Sequence, residues 1–144
     1  MHKKYKIGFT QGTFDMFHIG HLNIINNAKQ YCDYLVVGVN SDSLVQEYKN
    51  KMPVIVQEER LVIVNNIKAV DDAIITTTLD KVVTWKQVHF DAIFIGDDWK
   101  NNQRWKDTVN QLSKLGVDVV FLPHTEGISS TLLRTEKEFA IKGE

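Results

Sequence analysis

At 144 residues, with 43% hydrophobic and 24% charged side chains, the chain has the size and composition of one folded domain, residues 1–144; disorder, collagen-like repeats and coiled coil are excluded. Seventeen basic against eighteen acidic side chains leave a formal charge of −1, evenly spread, with eight of each sign in residues 1–72. That balance supplies neither a basic footprint for nucleic acid nor a polybasic membrane patch, so any anionic partner must be gripped locally.

The amino-terminal residues Met1 to Lys6 lead straight into a short apolar run, Tyr5 to Thr10, with no apolar leader before it. No run approaches the ~20 apolar residues of a membrane span. Cys32 is the only cysteine, which excludes an internal disulfide and a cysteine-based zinc cluster and fits a reducing compartment. A cytoplasmic protein is the expectation.

After the first run comes a turn, Gly12-Thr13-Phe14-Asp15, and then a helical pattern, with Leu22, Ile25, Ala28 and Cys32 recurring every three to four residues. A second apolar run covers Tyr34 to Val39. Leu61, Val64 and Ile67 mark a further helix, followed by runs at Ala73 to Ile75 and Ala92 to Ile95. Trp105, Val109, Leu112 and Leu115 repeat with helical spacing, Gly116 supplies a stop, and Val117 to Leu122 is the fifth apolar run. Runs this continuously apolar suit strands covered on both faces. Alternation of strand and helix predicts an α/β fold: a Rossmann-like doubly wound parallel sheet with strand order 3-2-1-4-5.

In that order the first and fourth strands are neighbours at the point where the winding reverses, and ligands bind outside their carboxyl ends. Three segments converge there: Gly12 to Asp15, Gly96-Asp97-Asp98-Trp99, and Thr125 to Thr131 at the opening of the last helix.

The most informative stretch is Gly12-Thr13-Phe14-Asp15-Met16-Phe17-His18-Ile19-Gly20-His21. Residues three apart share a helix face, so His18 and His21 project together from the first turn. That turn also exposes unpaired backbone N–H groups with partial positive charge, which favours a phosphate. Two imidazoles beside it add donors for a developing oxyanion. A pair of structural histidines, a two-histidine metal site and a simple helix-capping sequence compete with that reading; a metal would require more ligands than Asp15 nearby supplies.

Gly-Thr-Phe-Asp-x-x-His-x-Gly-His resembles the signature of the cytidylyltransferases, within a superfamily that shares His-x-Gly-His with class I aminoacyl-tRNA synthetases. Thr125-Glu126-Gly127-Ile128-Ser129-Ser130-Thr131 resembles the second signature of that family. The two motifs lie in the family's order and span nearly the whole chain. Gly96-Asp97-Asp98-Trp99 and the short length are most similar to the bacterial glycerol-3-phosphate branch.

The resemblance implies transfer of CMP from CTP to a small phosphorylated alcohol, glycerol 3-phosphate foremost, with magnesium as the divalent cation, release of pyrophosphate, and a homodimer. No nucleic-acid or membrane partner is implied. His18, His21, Lys51 and Arg60 are then the catalytic candidates, the last two as cations on a segment that closes over the phosphates. Thr13, Phe14, Asp97, Asp98, Thr125, Ser129, Ser130 and Thr131 become nucleotide-binding candidates. Two positions depart from the family pattern, since His124 stands where the second signature begins with arginine and Lys68 where a helix arginine is expected; both are acceptor-binding candidates. No metal ligand is assigned among these residues. An adenylyltransferase of the same superfamily is the first alternative, and a non-catalytic nucleotide-binding module the second.

Overall fold

The computed structural model describes residues 3–123. Five parallel strands, β1 (Tyr5–Gly12), β2 (Cys32–Asn40), β3 (Asp72–Thr76), β4 (Ala92–Gly96) and β5 (Asp118–Leu122), form one sheet in the order β3-β2-β1-β4-β5. Between them run α1 (Ile19–Lys29), α2 (Asp42–Lys49), α3 (Gln57–Asn65), α4 (Lys81–Val88) and α5 (Gln103–Ser113), with a 3-10 turn at Asp97–Trp99. The expected strand order is the one observed.

Side chains alternate across the sheet, and each face has its own helices. Leu35, Val37 and Val39 of β2 and Ala92 and Phe94 of β4 join Ile25 and Ala28 of α1 and Val64 of α3 in one buried cluster. Val36, Ile93 and Phe9 point the other way, to Trp105 and Leu112 of α5 with Val82 and Trp85 of α4 against them. The central strands are therefore covered on both faces over most of their length, Lys6, Asp33 and Tyr34 at their starts being exposed. At ~25 cal/mol per Å² of apolar area, this two-sided burial is the main stabilising term.

Crowding at the centre explains one glycine. A methyl group on Gly8 would overlap the Phe94 ring and stand 2.7 Å from the Cys32 sulfur. Gly116, with φ of +76°, ends α5 in the left-handed region, as its position after the helical repeat predicts.

Two expectations differ from the structure. Cys32 does not continue the first helix: it is the first residue of β2, and its thiol turns back to Ala28 O at 3.5 Å, which is why it falls on the helical repeat. Leu115 lies just past α5, in the turn that closes on Leu112 O. Two helices, α2 and α4, add to the expected ones. Each is eight residues long and is started by a side-chain cap, Ser41 on the N–H of Leu44 and Asp80 on those of Val82 and Val83.

Candidate active site

The exits of β1 and β4 lie side by side at the winding reversal, and the β1 exit carries the histidine pair. His18 is the N-cap of α1: its Nδ1 accepts from Gly20 N at 3.0 Å. His21 reaches back, its Nδ1 accepting from the N–H of His18 at 3.3 Å. Each ring thus spends Nδ1 as an acceptor. A neutral imidazole has one N–H, so both rings carry it on Nε2 and can donate there. The rings stack, with centroids 3.8 Å apart.

Burial, then the facing His18 ring, holds the His21 imidazole down to about 4, while Asp15 works weakly in the opposite direction. Burial also lowers His18. Both imidazoles are therefore neutral at neutral pH, each with its proton on Nε2. Among the described residues, His18 Nε2 is a buried side-chain polar atom with no hydrogen-bond partner. An unsatisfied buried donor costs ~1–3 kcal/mol, and an anionic oxygen brought by a ligand would relieve it.

The sign of the His21 shift gives a stability prediction. Below about 6.5 the unfolded chain takes up a proton on His21, whereas the folded one does so only near 4, so stability is complete above 6.5 and falls as pH is lowered through that window. Melting temperature should drop by roughly 5 °C between pH 7 and pH 5. A His21→Gln variant should show a distinctly flatter decline; equal slopes would contradict the assignment.

The loop that delivers the pair is strained and tied down. Phe14 and Met16 have φ of 54° and 50°, left-handed values that cost a non-glycine residue ~1–3 kcal/mol and persist only where surroundings over-determine them. Phe14 is buried, and its ring meets His21 edge-on at 5.4 Å between centroids, with Phe17 packed on the same imidazole at 5.3 Å. Asp15 accepts from the backbone N–H groups of Val54 and Ile55 at 2.8 and 2.9 Å, which staples residues 54–55 to the β1 exit. Lys51 is exposed on the segment leading into that staple.

Arg60 requires a correction to its expected role as a phosphate-facing cation. It is 1% exposed, and its guanidinium points inward. Nε donates to Ile55 O at 2.8 Å, Nη1 to Thr13 O and Asn40 O at 2.7 Å each, and Nη2 to Asp42 at 2.7 Å. Arg60 is a positioning residue that joins the β1 exit, the β2 end, the start of α2 and the stapled segment. Its charge is balanced by Asp42 and three carbonyls, so it faces protein rather than ligand.

Lys68 is also corrected. It is exposed in the turn between α3 and β3, at the amino-terminal edge of the sheet, whereas the histidines lie beyond the carboxyl ends; the chain does not bring the two together. Asp97 and Asp98 occupy the 3-10 turn directly after β4, adjacent to the β1 exit as expected. A Cβ at Gly96 would stand 2.6 Å from the Asp98 carboxylate, so glycine lets that side chain fold over the strand end. Thr13 is part-buried at the β1 exit, its hydroxyl 2.9 Å from the Tyr48 hydroxyl. His124, Thr125, Ser129, Ser130 and Thr131 lie outside the described residues.

Sequence reasoning missed Gln11, Asn40, Tyr48 and Lys81, a polar group at the carboxyl ends of β1 and β2 that hydrogen bonds connect to Thr13. Gln11 offered a signal: it is a polar residue just past the apolar run of β1, next to the turn that carries Thr13. Lys81 offered none, because a lysine in the first turn of a helix reads as solvent-facing.

A family model described as "Cytidylyltransferase-like" matches residues 9–136. Glycerol-3-phosphate cytidylyltransferase of Bacillus spizizenii is 34% identical over 128 residues, covering 88% of this chain and 93% of that protein. Bifunctional protein HldE of Hyphomonas neptunium is 31% identical over 134 residues, 92% of this chain but 27% of that longer protein. Among solved structures, the lipopolysaccharide core biosynthesis protein of Thermoplasma volcanium superposes with a TM-score of 0.69 at 27% identity, over 84% of this chain and 97% of that one. No helix of the described residues is long and apolar enough to cross a membrane.

Proposed function

The chain belongs to the cytidylyltransferase-like family, and from that premise we propose that it transfers CMP from CTP to glycerol 3-phosphate or a closely similar phosphomonoester. An oxygen of the acceptor phosphate attacks the α-phosphorus of CTP in line, the bond to the β-phosphate oxygen breaks, and pyrophosphate leaves. The attacking oxygen is already anionic, so no general base is required. The protein's contribution is positioning and charge stabilisation.

The observation that carries this reading is the buried Nε2 donor of His18, without a partner among the described residues and stacked on a second neutral donor. Two N–H groups held by a helix cap need no reorganisation as charge builds on the phosphate oxygens, which is where fixed donors are most effective. Asp97, Asp98 and Trp99 are assigned to the nucleoside side, because their turn adjoins the β1 exit. Lys51 is assigned to the leaving phosphates. Among the described residues no group of three His, Cys, Asp or Glu side chains could hold a metal ion. Magnesium is assigned to the CTP substrate, whose phosphate oxygens are the hard ligands this cation takes. A homodimer and supply of a CDP-linked precursor for cell-envelope synthesis complete the proposal.

Release of pyrophosphate should be followed with each of the four nucleoside triphosphates, against glycerol 3-phosphate, other polyol phosphates and phosphoethanolamine. CTP with glycerol 3-phosphate is expected to be the fastest pair. Preference for ATP would overturn the cytidylyl assignment in favour of an adenylyltransferase, and thermal stabilisation by CTP without turnover on any acceptor would mark a binding module.

A further inference from the structure

Lys81 opens α4 yet is only 8% exposed. Its ammonium donates to Gln11 Oε1 at 3.0 Å and Leu79 O at 3.2 Å and lies over the Trp105 ring at 5.5 Å. Burial first, then Arg104, hold it down to about 8 against the pull of Asp80, which leaves it charged at neutral pH. Among the described residues it makes no ion pair with a carboxylate, and burying a cation without one is costly.

What it touches is one end of a hydrogen-bond chain whose direction is fixed from Lys81 as far as the Tyr48 oxygen. A lysine only donates, so the oxygen of the Gln11 amide must face it. The Gln11 N–H groups then donate to Thr78 O at 3.0 Å and Asn40 Oδ1 at 2.8 Å. Asn40 Oδ1 also accepts from the Thr76 hydroxyl at 2.9 Å, so its amide N–H turns outward to the Tyr48 oxygen at 3.1 Å. The Tyr48 and Thr13 hydroxyls lie 2.9 Å apart, and either can donate to the other. With Tyr48 as the donor, Thr13 accepts there and keeps its own proton to donate. The Arg60 guanidinium holds the carbonyls of both Thr13 and Asn40, which fixes the backbone at two members of the chain.

We propose that Lys81 is a positioning residue that sets this donor chain, so that the Thr13 hydroxyl presents its proton to a phosphate oxygen of the nucleotide. Successive donors polarise one another, so the cation strengthens a hydrogen bond made four side chains away. The proposal rests on the nucleotide-binding role given above to the β1 exit and adds a specific donor to it.

Kinetics of Lys81→Met, Tyr48→Phe, Thr13→Val and Thr13→Ser test it, with CTP varied at saturating acceptor. Lys81→Met, Tyr48→Phe and Thr13→Val should each lower kcat/KM for CTP about tenfold, while Thr13→Ser, which keeps the hydroxyl, should recover most of what Thr13→Val loses. Lys81→Met combined with Tyr48→Phe should lose no more than either alone, because a chain broken once is broken. A hundredfold loss in the double variant, or single variants within twofold of wild type, would overturn the proposal. Should Lys81→Met fail to fold, Tyr48→Phe, on an exposed ring at the other end, paired with Thr13→Val carries the same non-additivity test. If wild type turns over CTP with no acceptor, the functional reading fails separately. The chain is then judged by the dissociation constant of inorganic pyrophosphate on the same proteins, with the same tenfold, non-additive losses expected and unchanged or multiplicative losses overturning it.

Discussion

Replacing His18 by asparagine is expected to leave folding stability close to wild type while lowering turnover about 100-fold or more. The side chain has two separable tasks. Its Nδ1 caps α1 by accepting from Gly20 N, and its Nε2 is buried without a partner among the described residues. Asparagine is among the best N-caps and can take over the first task, but it has no group at the position of Nε2. Alanine loses both, so His18→Ala should be less stable than His18→Asn by ~1 kcal/mol and no more active. Urea denaturation and steady-state assays on both variants separate the two tasks. Turnover of His18→Asn within tenfold of wild type would remove the histidine from the reaction. A stability loss in His18→Asn as large as that of His18→Ala would show that the capping geometry is not transferable.

Arg60→Met is expected to have the largest effect on stability, about 3–5 kcal/mol, because it strips a buried cation from its partners. Three carbonyls, those of Thr13, Asn40 and Ile55, and the Asp42 carboxylate lose donors at 2.7–2.8 Å. Arg60→Lys should recover little of this, since one ammonium cannot reach four acceptors that a planar fork meets in four directions. Activity should fall with it, as the strained Phe14 to Met16 turn loses one of its anchors. A denaturation midpoint that places Arg60→Met within about 1 kcal/mol of wild type would show that these contacts contribute little.

The sheet was legible because burial on both faces leaves an unmistakable mark: β2 and β4 read as unbroken apolar runs, since Val36 and Ile93 pack on one layer while Leu35, Val37 and Phe94 pack on the other. The histidine pair was legible because helix spacing fixes which side chains share a face. Burial of charge was not legible. Arg60 and Lys81 sit in segments that look solvated, and only the tertiary arrangement shows one clamped by carbonyls and the other roofed by Trp105. Lys68 failed for a related reason: motif register places it near the site along the chain, but the turn before β3 lies at the opposite edge of the sheet. Left-handed Phe14 and Met16 were beyond sequence reasoning, since their conformation is imposed by Asp15, Arg60 and the aromatic contact with His21.

The central claim is that two neutral imidazoles, each donating from Nε2, receive the triphosphate. Nitrogen-15 spectra of the imidazole rings, recorded at pH 7 as CTP is added, test it most directly. Both His18 and His21 should start as Nε2–H tautomers, and the Nε2 resonances of both should move as the nucleotide saturates. An Nδ1–H tautomer on either ring, or Nε2 signals that saturating CTP leaves in place, would contradict it.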